Sequence, residues 1–155
     1  MAEHQTLAID ASNVYPRIWV GAAPPADRHL SHFTLIVLCA REYQPERPAW
    51  TARVARARLP DEALSRPELR EAVVAARAVV EEARRGGRVL VTCAQGINRS
   101  ALVAGMAILQ LTPRMSADEV IRTMKARRHP NCLYNHHFQA ILQRLRPSPI
   151  TSPGS

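Results

Sequence analysis

Residues 88–111 read Arg-Val-Leu-Val-Thr-Cys-Ala-Gln-Gly-Ile-Asn-Arg-Ser-Ala-Leu-Val-Ala-Gly-Met-Ala-Ile-Leu-Gln-Leu, and no other stretch restricts the fold as strongly. A short run rich in β-branched residues, Val89 to Thr92, ends in Cys93. A loop containing Gly96 and Asn98 follows, and Arg99 and Ser100 open a segment that is apolar on nearly every side: Ala101, Leu102, Val103, Ala104, Met106, Ala107, Ile108, Leu109 and Leu111. The pattern predicts strand, tight loop and buried helix, because a helix apolar all round has to be central. Loop amides pointing inward at the start of such a helix would make a cradle for an anion, with a cysteine at its floor and an arginine at its rim.

The rest of the chain bounds the setting. Its 155 residues are enough for one domain with a substantial core and too few for two ordinary ones. We expect a single domain over 1–145 and a frayed tail over 146–155, which carries three prolines, two of them in Ser-Pro pairs. The formal charge is +8, and Lys125 is the single lysine among 21 basic residues. Anionic substrates or partners fit that excess, although Arg70, Arg77, Arg84 and Arg85 fall on a helix face where solvation alone explains them. Three cysteines, Cys39, Cys93 and Cys132, without paired spacing argue against a disulfide framework. The first residues lack a basic-then-apolar leader and the longest apolar run is too short to cross a bilayer, so a reducing cytoplasm without membrane attachment is the expected location.

In chain order, Leu7–Asp10 and Arg17–Gly21 are strand candidates separated by a turn signal at Asn13–Pro16, and a brief helical turn is expected near Asp27–Ser31. The unbroken apolar run Phe33–Ala40 fits a central strand buried on both faces, with Cys39 as a packing residue inside it. Arg53–Leu59 alternates like a half-buried strand, and Pro60, Asp61 and Glu62 open a polar loop. Ser65 with Glu68, and Ser116 with Glu119, form capping boxes ahead of helices that stop near Gly86–Gly87 and among Arg127 and Arg128. A last helix from about Asn135 is expected to bury Phe138, Ile141, Leu142 and Leu145. The whole reads as an α/β domain: a central, mostly parallel sheet of about five strands flanked by about six helices.

A cysteine followed six residues later by arginine means little alone, but only Cys93 has that spacing here, since Pro45 and Phe138 stand six after the other two cysteines. Only Cys93 also lies between a strand and a buried helix, with Gly96 allowing close backbone approach. A phosphoryl group needs a dense array of donors, which the amides of Ala94, Gln95, Gly96, Ile97, Asn98 and Arg99 and the forked guanidinium of Arg99 supply. Helix N-termini and nearby cations favour the thiolate of a cysteine placed in their field, which suits Cys93 to nucleophilic attack.

Thr-Cys-Ala-Gln-Gly-Ile-Asn-Arg-Ser resembles the signature loop of the cysteine-dependent dual-specificity protein phosphatases, within the protein tyrosine phosphatase superfamily. The resemblance extends over roughly 12–145: Arg17-Ile-Trp-Val-Gly21 is similar to the early strand, Met115-Ser-Ala-Asp-Glu-Val to the helix after the loop, and Asn135-His-His-Phe138 to a late Asn-x-x-Phe segment. It implies hydrolysis of phosphotyrosine, phosphoserine or phosphothreonine esters of proteins or peptides, without metal or other cofactor. By position, Cys93 would form a phosphocysteine, Arg99 clamp the phosphate and Ser100 help the thiolate leave. The family's general acid lies about thirty residues before the cysteine on a loop after a strand, which fits Asp61, with Glu62 in reserve. Asn135 is a candidate brace for the loop and equally a helix cap. His136 and His137 lack companion spacing and read as surface residues rather than metal ligands.

Two positions depart from the family. Asn98 stands where serine or glycine is common, and Gly-x-Asn-Arg also resembles the loop of the RNA 5′-triphosphatase branch, which uses the same cysteine without the general acid. That branch generally continues Thr-Gly, here Ser-Ala, and Asp61 is present, so the protein phosphatase reading is preferred; an RNA 5′ end remains the alternative substrate. The other departure is Thr92, where the family usually has histidine; it also leaves open a phosphate-binding adaptor with weak catalysis. A threonine hydroxyl brings no ring to order the loop from behind. Thr92→His should therefore raise kcat on a small aryl phosphate; an unchanged or lower kcat in a folded variant would contradict this reading.

Overall fold

A computed structural model describes residues 9–146. Five strands, β1 (Ala11–Tyr15), β2 (Ile18–Ala22), β3 (Leu35–Ala40), β4 (Arg53–Leu59) and β5 (Val89–Cys93), form one sheet in the order β1-β2-β5-β3-β4. Only β1 and β2 pair antiparallel; β5 lies between β2 and β3, parallel to both, and β4 continues the parallel set. The strand that carries the cysteine is thus the middle one. All five of its residues and all six of β3 are buried, the continuous apolar character required of parallel strands covered on both faces.

Side-chain alternation divides these strands between two cores. Val89, Val91 and Cys93, with Leu35, Val37 and Cys39, join the large core under the helices, whereas Leu90, Ile36 and Leu38 join a smaller one with Leu30, Phe33 and Trp50. The helices are α1 (Arg66–Arg84), α2 (Arg99–Leu111), α3 (Ala117–Arg127) and α4 (His136–Leu145). Helix α2 contacts all three of the others, and its residues from Arg99 to Leu109 are buried. Gly105 makes the crossing close, since a Cβ there would lie 3.2 Å from Val120 Cγ1 and 3.3 Å from the Leu142 methyls. Both expected capping boxes are formed, Ser65 with Glu68 and Ser116 with Glu119.

Four details differ from the sequence expectation. The first strand runs over Ala11–Tyr15 rather than Leu7–Asp10; Ile9 and Asp10 are non-strand, and Leu7 and Ala8 fall outside the described residues. Asn13, read as a turn residue, is in the strand, with its amide bonded to the carbonyls of Tyr15 and Ile18 across the hairpin. The turn is at Pro16 and Arg17, where Arg17 takes φ 67°. The segment near Asp27–Ser31 is turn and irregular chain, so four helices rather than about six flank the sheet among the described residues; Trp50 Nε1 on the Pro25 carbonyl and Leu30 in the second core hold it down. Leu145 is 52% exposed, because α4 ends as it leaves the core that holds Phe138 and Leu142. Most of the expected tail, 147–155, lies outside the described residues. No helix among the described residues is long and apolar enough to cross a membrane.

Ser65 satisfies one end of α1 through both halves of its capping box, with Glu68 also meeting the Arg41 guanidinium. Ser65→Ala should cost about 1 kcal/mol, read as a lower urea midpoint at unchanged slope.

Candidate active site

The chain leaves β5 at Cys93, crosses 94–98 and enters α2 at Arg99. Helices α1, α3 and α4 are each capped by their own Ser65, Ser116 or Asn135 side chain, but Asn98 makes no such bond to α2, and no acidic side chain occupies that helix's first turn. Its N-terminal amides and positive dipole end are therefore left for an external anion. Gly96 is indispensable to the loop: it takes φ 71°, and a Cβ there would lie 2.5 Å from the Gly21 carbonyl carbon.

The loop opens on a cavity of about 260 Å³ lined by Asp61, Cys93, Ala94, Gln95, Ile97, Asn98, Arg99 and Tyr134. Cys93 is 3% exposed, and its Sγ lies 3.2 Å from Ser100 Oγ, so the hydroxyl can donate to the sulfur. Arg99 is held from two strand ends. Its two terminal nitrogens donate to Glu42 Oε1 and Oε2 at 2.6 and 2.7 Å, and one also donates to the Leu59 carbonyl at 2.9 Å. Among the described residues, Arg99 Nε is the buried side-chain polar atom left without a partner. A buried donor in that state is costly unless a ligand oxygen completes it.

The hydrogen bonds to Arg99 hold the Glu42 carboxyl down at about 2, while Glu42 in turn holds the Arg99 guanidinium above its ordinary value. Glu42 remains 56% exposed, so the pair adds little to stability and serves to aim the guanidinium.

Asp61 stands at the cavity mouth, two residues beyond β4. Its Oδ2 accepts from Asn98 Nδ2 at 3.2 Å and its Oδ1 from Asn135 Nδ2 at 3.1 Å. The side-chain Oδ1 of Asn98 accepts the Asn135 backbone N–H at 3.1 Å, and Asn135 Oδ1 caps α4 through the amides of His137 and Phe138. Both readings of Asn135 thus hold at once: it is a cap and a link to the aspartate. Asn98, the departure from the usual loop, spends its side chain on Asp61.

Behind the loop, Thr92 donates its hydroxyl to the Val37 carbonyl of β3 at 3.0 Å and orders the strand pair rather than the loop. The bracing comes from Arg128 instead. Its Nε donates to the Gly96 carbonyl at 3.1 Å and one terminal nitrogen to the Gln95 carbonyl at 3.0 Å, while the other reaches Asp10 at 2.7 Å and Ser12 at 3.3 Å. Glu42 and Arg128 escaped the sequence reading. For Glu42 a signal existed: in a parallel sheet, polar residues just past neighbouring strands gather at one end, so Glu42 after β3 and Asp61 after β4 converge on the loop after β5. Arg128 looked like any cation at a helix end.

The remaining candidates separate from the cavity. Glu62 does not line it. Cys39 is fully buried, and burial first, with the neighbouring Cys93 adding to it, pushes its thiol well above the ordinary value, so it packs as expected. Cys132 is also buried, and burial likewise raises its thiol. The rings of His136 and His137 lie 4.2 Å apart against one another, and no cluster of three or more His, Cys, Asp or Glu side chains among the described residues is placed to hold a metal ion. Arg70, Arg77, Arg84 and Arg85 are exposed.

The same architecture occurs in solved structures. Human DUSP28 matches with a TM-score of 0.73 at 23% identity, over 88% of this chain and 92% of its own. A mouse putative dual specificity phosphatase complexed with zinc tungstate matches with a TM-score of 0.69 at 28% identity, over 88% and 86%. DUSP15 matches with a TM-score of 0.72 at 18% identity, over 89% and 88%. No curated protein sequence shows a significant match. The profile of the dual specificity phosphatase catalytic domain matches residues 22–146, most of the chain and the whole of the cavity just described. The chain therefore belongs to the dual specificity phosphatase catalytic-domain family and is a phosphatase of the protein tyrosine and dual-specificity class.

Proposed function

We propose that the protein hydrolyses phosphomonoesters of tyrosine, serine or threonine in proteins or peptides through a phosphocysteine on Cys93. The observation that carries this reading is the meeting, in one small cavity, of a cysteine, an uncapped helix N-terminus, an arginine with an unpartnered Nε and an aspartate held by two amides. The amides of Ala94 to Arg99 and the guanidinium take the phosphoryl oxygens, and charge compensation needs no metal. Cys93 Sγ attacks phosphorus as the ester P–O bond breaks, and Asp61 delivers its proton to the departing oxygen. Asp61, now a carboxylate, removes a proton from water as that water attacks the phosphocysteine. The S–P bond breaks, inorganic phosphate leaves, and the Ser100 hydroxyl steadies the thiolate. The mouse relative is a complex with zinc tungstate, an oxyanion of the kind such a cavity suits. A reducing, cytoplasmic setting accords with three free, buried cysteines.

Asp61 at the cavity mouth supports a monoester substrate over an RNA 5′-triphosphate, for which this resemblance implies no general acid. The amide of Asn98 bonded to Asp61 gives that departure a role in the monoester reaction. Phosphate release from a phosphopeptide compared with a 5′-triphosphorylated RNA tests the choice: the peptide is expected to be the better substrate, and preferential release from RNA would overturn it.

Cys93→Ser should abolish hydrolysis of a small aryl phosphate in a folded protein, and full activity would remove the mechanism. Asp61→Asn should slow turnover by about a hundredfold or more for alkyl esters, which leave poorly, and by much less for activated aryl esters; equal rates would demote Asp61 to a turn residue. Glu42→Gln should raise KM several-fold through a less well aimed Arg99. Because the Glu42 carboxyl is drawn from 4.5 down to about 2, the ion pair is fully formed above pH 4.5 and fades as pH falls toward 2. Phosphate binding by the Cys93→Ser protein should weaken across that window, and Glu42→Gln should remove this part of the dependence.

A further inference from the structure

Tyr134 is 63% exposed and lines the mouth of the cavity. Among the described residues no other ring packs against it and its hydroxyl has no hydrogen-bond partner, so neither packing nor polar satisfaction accounts for its place. The backbone that presents it is nonetheless tightly held. Leu133 is fully buried at φ 60°, a left-handed conformation uncommon for leucine that costs of order 1 kcal/mol or more. Its N–H donates to the Ile97 carbonyl of the loop at 2.9 Å, and its own carbonyl accepts from Gln139 Nε2 at 2.6 Å. Cys132 and Tyr134 donate to the carbonyls of His129 and Asn131 at 2.9 and 3.2 Å, and Asn135 follows, bonded to Asp61 and Asn98. A strained, buried leucine thus fixes the next residue's aromatic side chain at the rim, on the backbone that holds the aspartate.

We propose that Tyr134 is a specificity-determining residue that selects aryl phosphate esters, and so phosphotyrosine, over the alkyl esters of phosphoserine and phosphothreonine. This rests on the phosphatase reading above and names the substrate class it favours. With the phosphoryl group seated at Cys93 on the floor, an aryl ester carries its ring outward along the wall formed by Ile97 to the level of Tyr134. There the two rings pack with an aromatic pair's preference for offset or edge-to-face contact. A seryl or threonyl ester ends its side chain one carbon beyond the ester oxygen and offers Tyr134 only peptide backbone. An aromatic pair corresponds to about a three- to tenfold preference.

The test measures kcat/KM for a phosphotyrosine peptide and its phosphothreonine counterpart with the wild type, Tyr134→Ala and Tyr134→Phe, all checked for fold by circular dichroism. Tyr134→Ala should lower the phosphotyrosine-to-phosphothreonine ratio about three- to tenfold, chiefly through KM, and Tyr134→Phe should keep the wild-type ratio. An unchanged ratio in Tyr134→Ala, or an equal fall in Tyr134→Phe, would overturn the assignment. So would an effect confined to a 5′-triphosphorylated RNA measured alongside, since the ring would then serve a base. The same peptides titrated into Cys93→Ser and Cys93→Ser/Tyr134→Ala report the preference as affinity, independent of turnover. Failure of the wild type to hydrolyse either peptide would count against the phosphatase reading, whereas the same affinity preference in Cys93→Ser and Cys93→Ser/Tyr134→Ala would count against Tyr134.

Discussion

Backbone N–H groups can converge on an anion only if the carbonyls of the same peptides find partners elsewhere, and in this loop one guanidinium supplies them. Arg128 binds the Gln95 and Gly96 carbonyls from outside, and its side chain is itself only 6% exposed. The bidentate fork makes the restraint directional as well as electrostatic, which a lysine at that position would not reproduce. With the carbonyls held back, the uncapped start of α2 and the Arg99 guanidinium become usable donors. Gly96 completes the requirement, because a side chain there would run into Gly21 of β2.

The second requirement is that the two charged groups of the cavity stay aimed at one point without neutralising each other. Glu42 occupies the terminal nitrogens of Arg99 and leaves its buried Nε without a partner, while two asparagine amides hold both oxygens of Asp61. Asp61 therefore does not collapse onto the arginine. The neutral amides of Asn98 and Asn135 position a carboxylate without tying it into an ion pair, an arrangement compatible with the acid and base roles proposed for Asp61. Thr92 belongs to a different network. Its hydroxyl joins β5 to β3, so the support a histidine would lend the loop from behind is here distributed to Arg128 and to the Leu133 bond on Ile97.

Legibility from the residues varied with the range of the forces involved. The two serine capping boxes, the run of β5 and the all-round apolar character of α2 are local patterns, and each predicted its element to within about a residue. The first strand was displaced because Asn13 and Pro16 look like turn formers, whereas pairing across the hairpin with β2 recruits Asn13 into the strand and confines the turn to Pro16 and Arg17. The expected turn of helix near Asp27 lost to side chains drawn into the second core on the far side of the sheet.

By itself the sequence determined the α/β class, the strand-loop-helix that carries Cys93 and Arg99, the candidacy of Asp61, and the family, because these depend on periodicity, on residues six apart and on a motif contiguous in the chain. Tertiary structure alone decided that Glu42 orients Arg99, that Asn98 and Asn135 share Asp61, that Arg128 restrains the loop, and that Tyr134 faces the cavity. Those partners lie 32 to 74 residues apart for the hydrogen bonds in question. No local rule links them. They meet because parallel pairing gathers the ends of β3, β4 and β5 on one edge of the sheet, and because the packing of α3 and α4 against α2 brings the chain between them back over the loop.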